Sequence, residues 1–156
     1  MDANREILDT FVRTREKTVE LVETIPDDWL SRTAEGEDHS LGCLLQHIAS
    51  ANARWIYRIK NDSGELITPT DGLPKSEIIQ MMKETCEQIV AFFSKEGAIE
   101  KTFNFTLQGG KKCQLTGLWC LLYLMQHEVH HRGKVVLALR QWGAKDIPFM
   151  PYKGWE

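Results

Sequence analysis

Residues 116–143, TGLWCLLYLMQHEVHHRGKVVLALRQWG, decide how this chain reads. Thr116 is a side-chain cap for a first helical turn, and Gly143 is a stop, because glycine enters the left-handed conformation without steric cost. No proline interrupts the stretch, so it predicts one long helix from about Thr116 to Trp142. Residues four apart lie one turn apart on the same face, so His127 and His131 converge on one point beside the helix. That is how a helix offers two imidazoles to one metal ion.

Three more helices precede it. Ile7, Phe11, Thr14, Thr18, Leu21, Val22 and Ile25 recur at three- and four-residue steps, which predicts a helix from about Asn4 to Ile25, stopped by Pro26. Leu41, Leu44, Leu45, Ile48, Ala51, Trp55, Ile56 and Ile59 give a second from about Leu41 to Lys60, capped by Ser40 and ended by Asn61–Gly64. Asn52 is the one polar residue on that stripe. Ile79, Met82, Cys86, Ile89, Val90 and Phe93 give a third from about Ser76 to Lys95, closed by Gly97. Phe103, Phe105 and Leu107, then Cys113 and Leu115, alternate with polar residues around Gly109–Gly110; they read as a short β-hairpin or an irregular loop with anchoring aromatics. The tail from Ala144 is expected to wrap back over the helices.

Four amphipathic helices with one apolar stripe each imply an all-α four-helix bundle, with residues 1–156 as one domain. Connections of about 15 and 20 residues flank the third helix, long for a bundle, and permit crossed-over topology.

Composition narrows the function. At 156 residues, 42% hydrophobic and 26% charged, the chain is of ordinary globular type. The net charge of −3 lacks the basic excess of a nucleic-acid binder. The longest nearly apolar run, Leu115 to Met125, is about half a bilayer span. The start, MDANREILDT, shows no basic region followed by an apolar core, so the expected compartment is cytoplasmic. Cys43, Cys86, Cys113 and Cys120 form no CxxC and read as reduced thiols.

His127 and His131 fall at one edge of their helix's apolar stripe, and His47 at an edge of the second helix's stripe. Edges of stripes are where bundles open into clefts. Three neutral imidazoles from two helices would make a metal site with open positions, provided the fold brings them together.

His127-Glu128-Val129-His130-His131 also matches the H-E-x-x-H of zinc peptidases. The context departs from that motif. Lys134 stands where the extended form needs glycine, no histidine follows, and the only later glutamate is the last residue. By angle Glu128 and Arg132 point into the apolar stripe; they read as a partly buried i,i+4 ion pair, or Glu128 as an acceptor or proton carrier near the metal. His130, about 100° from His131, reads as solvent-facing or as a neighbour of the ligands but not as a ligand itself, and His39 has no evident partner. Cys120, seven before His127, falls on nearly its face and is either a cleft-lining thiol or a small core residue; Arg132 is a second cleft-lining candidate.

At these residues the chain resembles a known family. Leu44-Leu45-Gln46-His47-Ile48-Ala49 is similar to the L-x-H-I-a of the DinB/YfiT-like superfamily, and His127 to Val135 to its H-x-x-x-H-R-G-Q-I signature, with Lys134 in place of the usual glutamine. Gln141-Trp142-Gly143-Ala144 and Pro148 resemble the family's ending. The resemblance runs over essentially the whole chain. It implies a DinB-type bundle, a divalent metal, usually zinc or nickel, on His47, His127 and His131, and a homodimer. It implies no DNA binding. The superfamily includes isomerases and S-transferases that work with low-molecular-weight thiols.

The mechanism suiting residues and resemblance is thiol activation at the metal, followed by thiolate attack on an electrophile. Arg54, Arg58 and Lys134 are candidates to hold an acidic substrate, and spacing selects none of them. Two rivals stand beside it. One is metal-dependent hydrolysis with Glu128 as base. The other is a non-catalytic, metal-binding stress-response module.

Overall fold

The computed structural model describes residues 2–61, 69–106 and 110–148. Among these, the order is α1 (Ala3–Glu23), a 3-10 turn (Asp27–Trp29), α2 (Leu41–Asn61), α3 (Lys75–Phe93), β1 (Thr102–Thr106), β2 (Lys112–Thr116) and α4 (Gly117–Gln141).

The helix ends follow from their residues. Asp2, Ser40 and Thr116 each accept a hydrogen bond from a first-turn backbone N–H, of Asn4, Cys43 and Trp119 respectively. α1 stops two residues before the expected Ile25. Proline disfavours helical geometry at the residue before it, and the N–H groups of Thr24 and Ile25 turn instead to the carbonyls of Leu21 and Val22. α3 likewise ends two residues early, at Phe93, and Gly97 supplies a positive φ of 69° in the turns that follow. α4 closes with paired bonds, Ala144 N–H to Leu139 O and Gly143 N–H to Arg140 O, with Gly143 at φ 89°.

β1 and β2 pair antiparallel, with Phe103 opposite Leu115 and Phe105 opposite Cys113. Of the two readings of this alternation, hairpin and irregular loop, the pairing shows the hairpin. Phe103 and Phe105 are buried on its inner face, and Phe105 meets Trp55 edge-on at 5.4 Å. Leu107 and Gly109 of the expected turn lie outside the described residues, as do Asp62–Gly64 after α2 and Tyr152 and Trp155 of the tail. The hairpin leads straight into α4, and Gly117 is required at the junction: a Cβ there would stand 2.2 Å from Ala98 O.

α1 and α2 each pack against both α3 and α4, so the bundle runs α1, α3, α2, α4 around its perimeter. The long connections permit this order. Two apolar clusters fill the interior. One holds Phe11, Trp55, Ile89, Phe93 and Leu121 near the hairpin; the other holds Val22, Leu45, Ile78, Met82 and Val135. Between them every helix contributes buried polar side chains: Arg15 and Thr18 from α1, Ser50 and Asn52 from α2, Thr85 from α3 and Glu128 from α4. The histidines lie at the level of this polar layer.

Candidate metal centre

α2 and α4 bring together His47, His127 and His131. Each offers one ring nitrogen, and these three atoms lie within 4.8 Å of one another. His47 Nε2 is 2.9 Å from His127 Nε2, and the His47 and His131 rings are 4.7 Å apart. No other group of three or more potential metal ligands occurs among the described residues.

All three imidazoles are held neutral. Burial, reinforced by repulsion from His131 and His47, pushes His127 down to about 3. Burial and His47 push His131 down to about 4, and burial with the Arg54 charge lowers His47. The neutral ring is the ligating form. His131 Nδ1 is buried without a hydrogen-bond partner, and an unpaired buried acceptor or donor is costly. The donor set therefore fits a divalent ion of the kind that imidazole nitrogens prefer.

One wall of the centre opens on a cavity of about 370 Å³ that reaches His47 and His131. Its apolar lining includes Leu41, Leu44, Pro69, Ala138 and Trp142. Lys134 and Glu37 form an ion pair at 2.8 Å on its rim. Gln46 fixes the loop that carries Pro69: its amide donates to Thr70 O at 2.6 Å and accepts from Thr70 N–H at 3.1 Å. Trp142 is positioned by an edge contact with Trp29, and the Arg32 guanidinium lies over both rings.

Glu128 turns to a different helix. Its carboxylate is 3.1 Å from Arg15, both side chains being 3% exposed, and Thr18 Oγ1 lies 2.5 Å from its other oxygen. Arg132 also reaches α1, donating to Thr14 O and Thr18 Oγ1. The expected alternatives for Glu128, a metal neighbour or the i,i+4 partner of Arg132, left out a partner 113 positions away in sequence, Arg15. Cys120, read as either cleft-lining or core, is wholly buried in the apolar cluster near the hairpin; burial pushes its thiol up to about 12. His130 is exposed, its ring 4.9 Å from that of His131, and His39 lines the cavity.

Sequence reasoning missed Glu37 and the roles of Gln46 and Trp142. Each acts across a tertiary contact that no local spacing encodes. It also left Arg54 undistinguished. Arg54 Nη2 lies 3.2 Å from His47 Nδ1. A guanidinium only donates, so in this contact His47 Nδ1 is the acceptor.

Comparison with known proteins agrees with the fold. A curated relative from Bacillus subtilis (strain 168), the uncharacterized protein YjoA, is 25% identical over 151 residues, covering 96% of this chain and 97% of the relative. The crystal structure of the DinB-like YjoA from Bacillus subtilis superposes with a TM-score of 0.72 at 23% identity, covering 93% of this chain and 97% of that one. A DinB-like protein from Bacillus cereus ATCC 10987 gives 0.74 at 18% identity, covering 92% and 94%. The DinB family model matches residues 1–154, nearly the whole length, and the chain belongs to the DinB family.

Proposed function

We propose that this chain is a divalent-metal enzyme that uses a low-molecular-weight thiol for S-transfer or isomerisation, with zinc or nickel held by His47, His127 and His131. One observation carries the proposal: three neutral imidazoles converge beside an apolar cavity of about 370 Å³. A metal held by three protein ligands keeps a position for an exogenous one, whereas structural zinc sites are closed by four. The ion would supply Lewis acidity, lowering the pKa of a thiol that takes the open position.

The chain's own residues supply the rest. Leu41, Leu44, Ala138 and Trp142 give the electrophile an apolar seat and exclude water from it. The protein's buried thiols are poor nucleophiles: burial raises Cys43, and pushes Cys86 up to about 11 and Cys120 to about 12. The fourth, Cys113, lies on β2 and is not among the residues lining the cavity, so the reacting sulfur is assigned to a co-substrate. Glu128 is engaged by Arg15 and Thr18, which favours thiol transfer over hydrolysis with Glu128 as base.

The working unit is proposed to be a homodimer. Leu118, Leu122, Val129 and Leu137 lie along the outer face of α4 at 37–58% exposure, an apolar stripe of the kind a second copy covers. No helix among the described residues is long and apolar enough to cross a membrane.

The deciding experiment is a screen of electrophiles against zinc- and nickel-loaded protein, with and without a small thiol. Turnover that requires both metal and thiol is expected. Turnover indifferent to thiol, or none across the panel, would count against the proposal.

A further inference from the structure

Arg54 stands apart from the other cations near the histidines. Lys134 is neutralised by Glu37, and Arg15 by Glu128. Arg132 donates to α1. Arg54 is half-buried, and no carboxylate lies within ion-pair distance of it among the described residues. Its hydrogen-bond partner is the neutral Nδ1 of His47. One turn further along α2, Arg58 also has no carboxylate within ion-pair distance among the described residues; its guanidinium lies 5.6 Å over the Trp55 ring, and its Nε is buried with no hydrogen-bond partner among them. Two like charges at i,i+4 repel. Leaving both uncompensated in a half-buried seam is costly unless an anion joins them.

The chemistry of His47 sharpens the point. A neutral imidazole that ligates through Nε2 carries its proton on Nδ1. Such an Nδ1–H cannot accept from Arg54, so ligation and the Arg54 contact are alternatives for the same ring. Metal-bound histidines ordinarily donate that second N–H to an oxygen acceptor, most often a carboxylate or carbonyl. Here the neighbour is a guanidinium. An exogenous carboxylate at this place would accept from both His47 Nδ1–H and Arg54, and the guanidinium fork matches its geometry.

We propose that Arg54 is the anion-binding residue of the metal centre and selects a ligand bearing a carboxylate. This rests on the metal-and-thiol reading above and adds the charge of the ligand that the site accepts. The Trp119–Tyr123 stack, rings 5.1 Å apart and 11° from parallel, lies along the same seam between α2 and α4.

Cobalt-substituted protein tests it by the sulfur-to-metal charge-transfer band, titrated with 3-mercaptopropionate and with neutral 2-mercaptoethanol. Wild type is expected to bind the anionic thiol at least about tenfold more tightly, a difference of about 1.4 kcal/mol. Arg54→Gln should erase that preference while changing 2-mercaptoethanol binding less than twofold, and Arg54→Lys should restore part of it. Lys134→Gln should leave it intact. Equal affinities in wild type, or a preference that survives Arg54→Gln or vanishes with Lys134→Gln, would overturn the assignment. Calorimetry with propionate separates the two ideas. If neither thiol gives a band, the thiol reading fails, and propionate binding that disappears in Arg54→Gln still upholds the anion site. If propionate also fails to bind, the anion site is refuted.

Discussion

Arg15 on α1 and Glu128 on α4 form an ion pair at 3.1 Å in the middle of the bundle, each side chain 3% exposed. The pair ties the helix that carries His127 and His131 to its neighbour α1. It also explains why a glutamate lies between two metal-ligand candidates without facing them: His127 and Glu128 are about 100° apart around the helix.

Breaking the pair on one side strands a buried charge. Glu128→Leu and Arg15→Met are each expected to lower unfolding free energy by about 3–5 kcal/mol, with the double variant recovering much of the loss. Urea unfolding of the four proteins measures the cycle. If both single variants are as stable as wild type, the pair does not anchor α4.

The histidines give metal-free protein a characteristic acid sensitivity. In the folded chain His127 and His131 are held down to about 3 and about 4, whereas unfolded histidine titrates near 6.5. Between those values the unfolded state binds protons that the folded state refuses, so stability is unaffected above pH 6.5 and falls as pH drops towards 4. Chelator-treated wild type should therefore lose more stability between pH 7.5 and 5 than the His127→Leu, His131→Leu double variant does. Parallel losses in the two proteins would show that these rings are not depressed.

The outer face of α4 offers a separate check. Leu122 and Val129 are seven residues apart, two turns along one stripe. Sedimentation equilibrium is expected to give twice the chain mass for wild type and the single mass for Leu122→Lys, Val129→Glu. A wild type that sediments as one chain at high micromolar concentration would show that the protein is not a dimer.

What could be read in advance divides by range. Periodicity locates four helices within two residues at each end, because caps and stops such as Ser40, Thr116 and Gly143 are local. The hairpin was half legible: Phe103 and Phe105 alternate, but only the pairing with Cys113 and Leu115 distinguishes a strand from a loop. The i,i+4 spacing of His127 and His131 is local too, whereas His47 joins them through the α2–α4 packing, 80 positions away from His127. The Glu128–Arg15 and Lys134–Glu37 pairs were illegible for the same reason. A charged side chain on a stripe announces that it needs a partner, and only the fold supplies the partner's number.

Everything proposed for the site depends on His47, His127 and His131 holding a divalent ion. Elemental analysis of untagged protein purified without chelators tests it most directly, beside a His127→Ala, His131→Ala variant whose helicity is checked by circular dichroism. Close to one equivalent of zinc or nickel in wild type, absent from a variant that keeps its helical spectrum, is the predicted result. No bound metal in wild type, even after incubation with zinc and nickel salts, would contradict it.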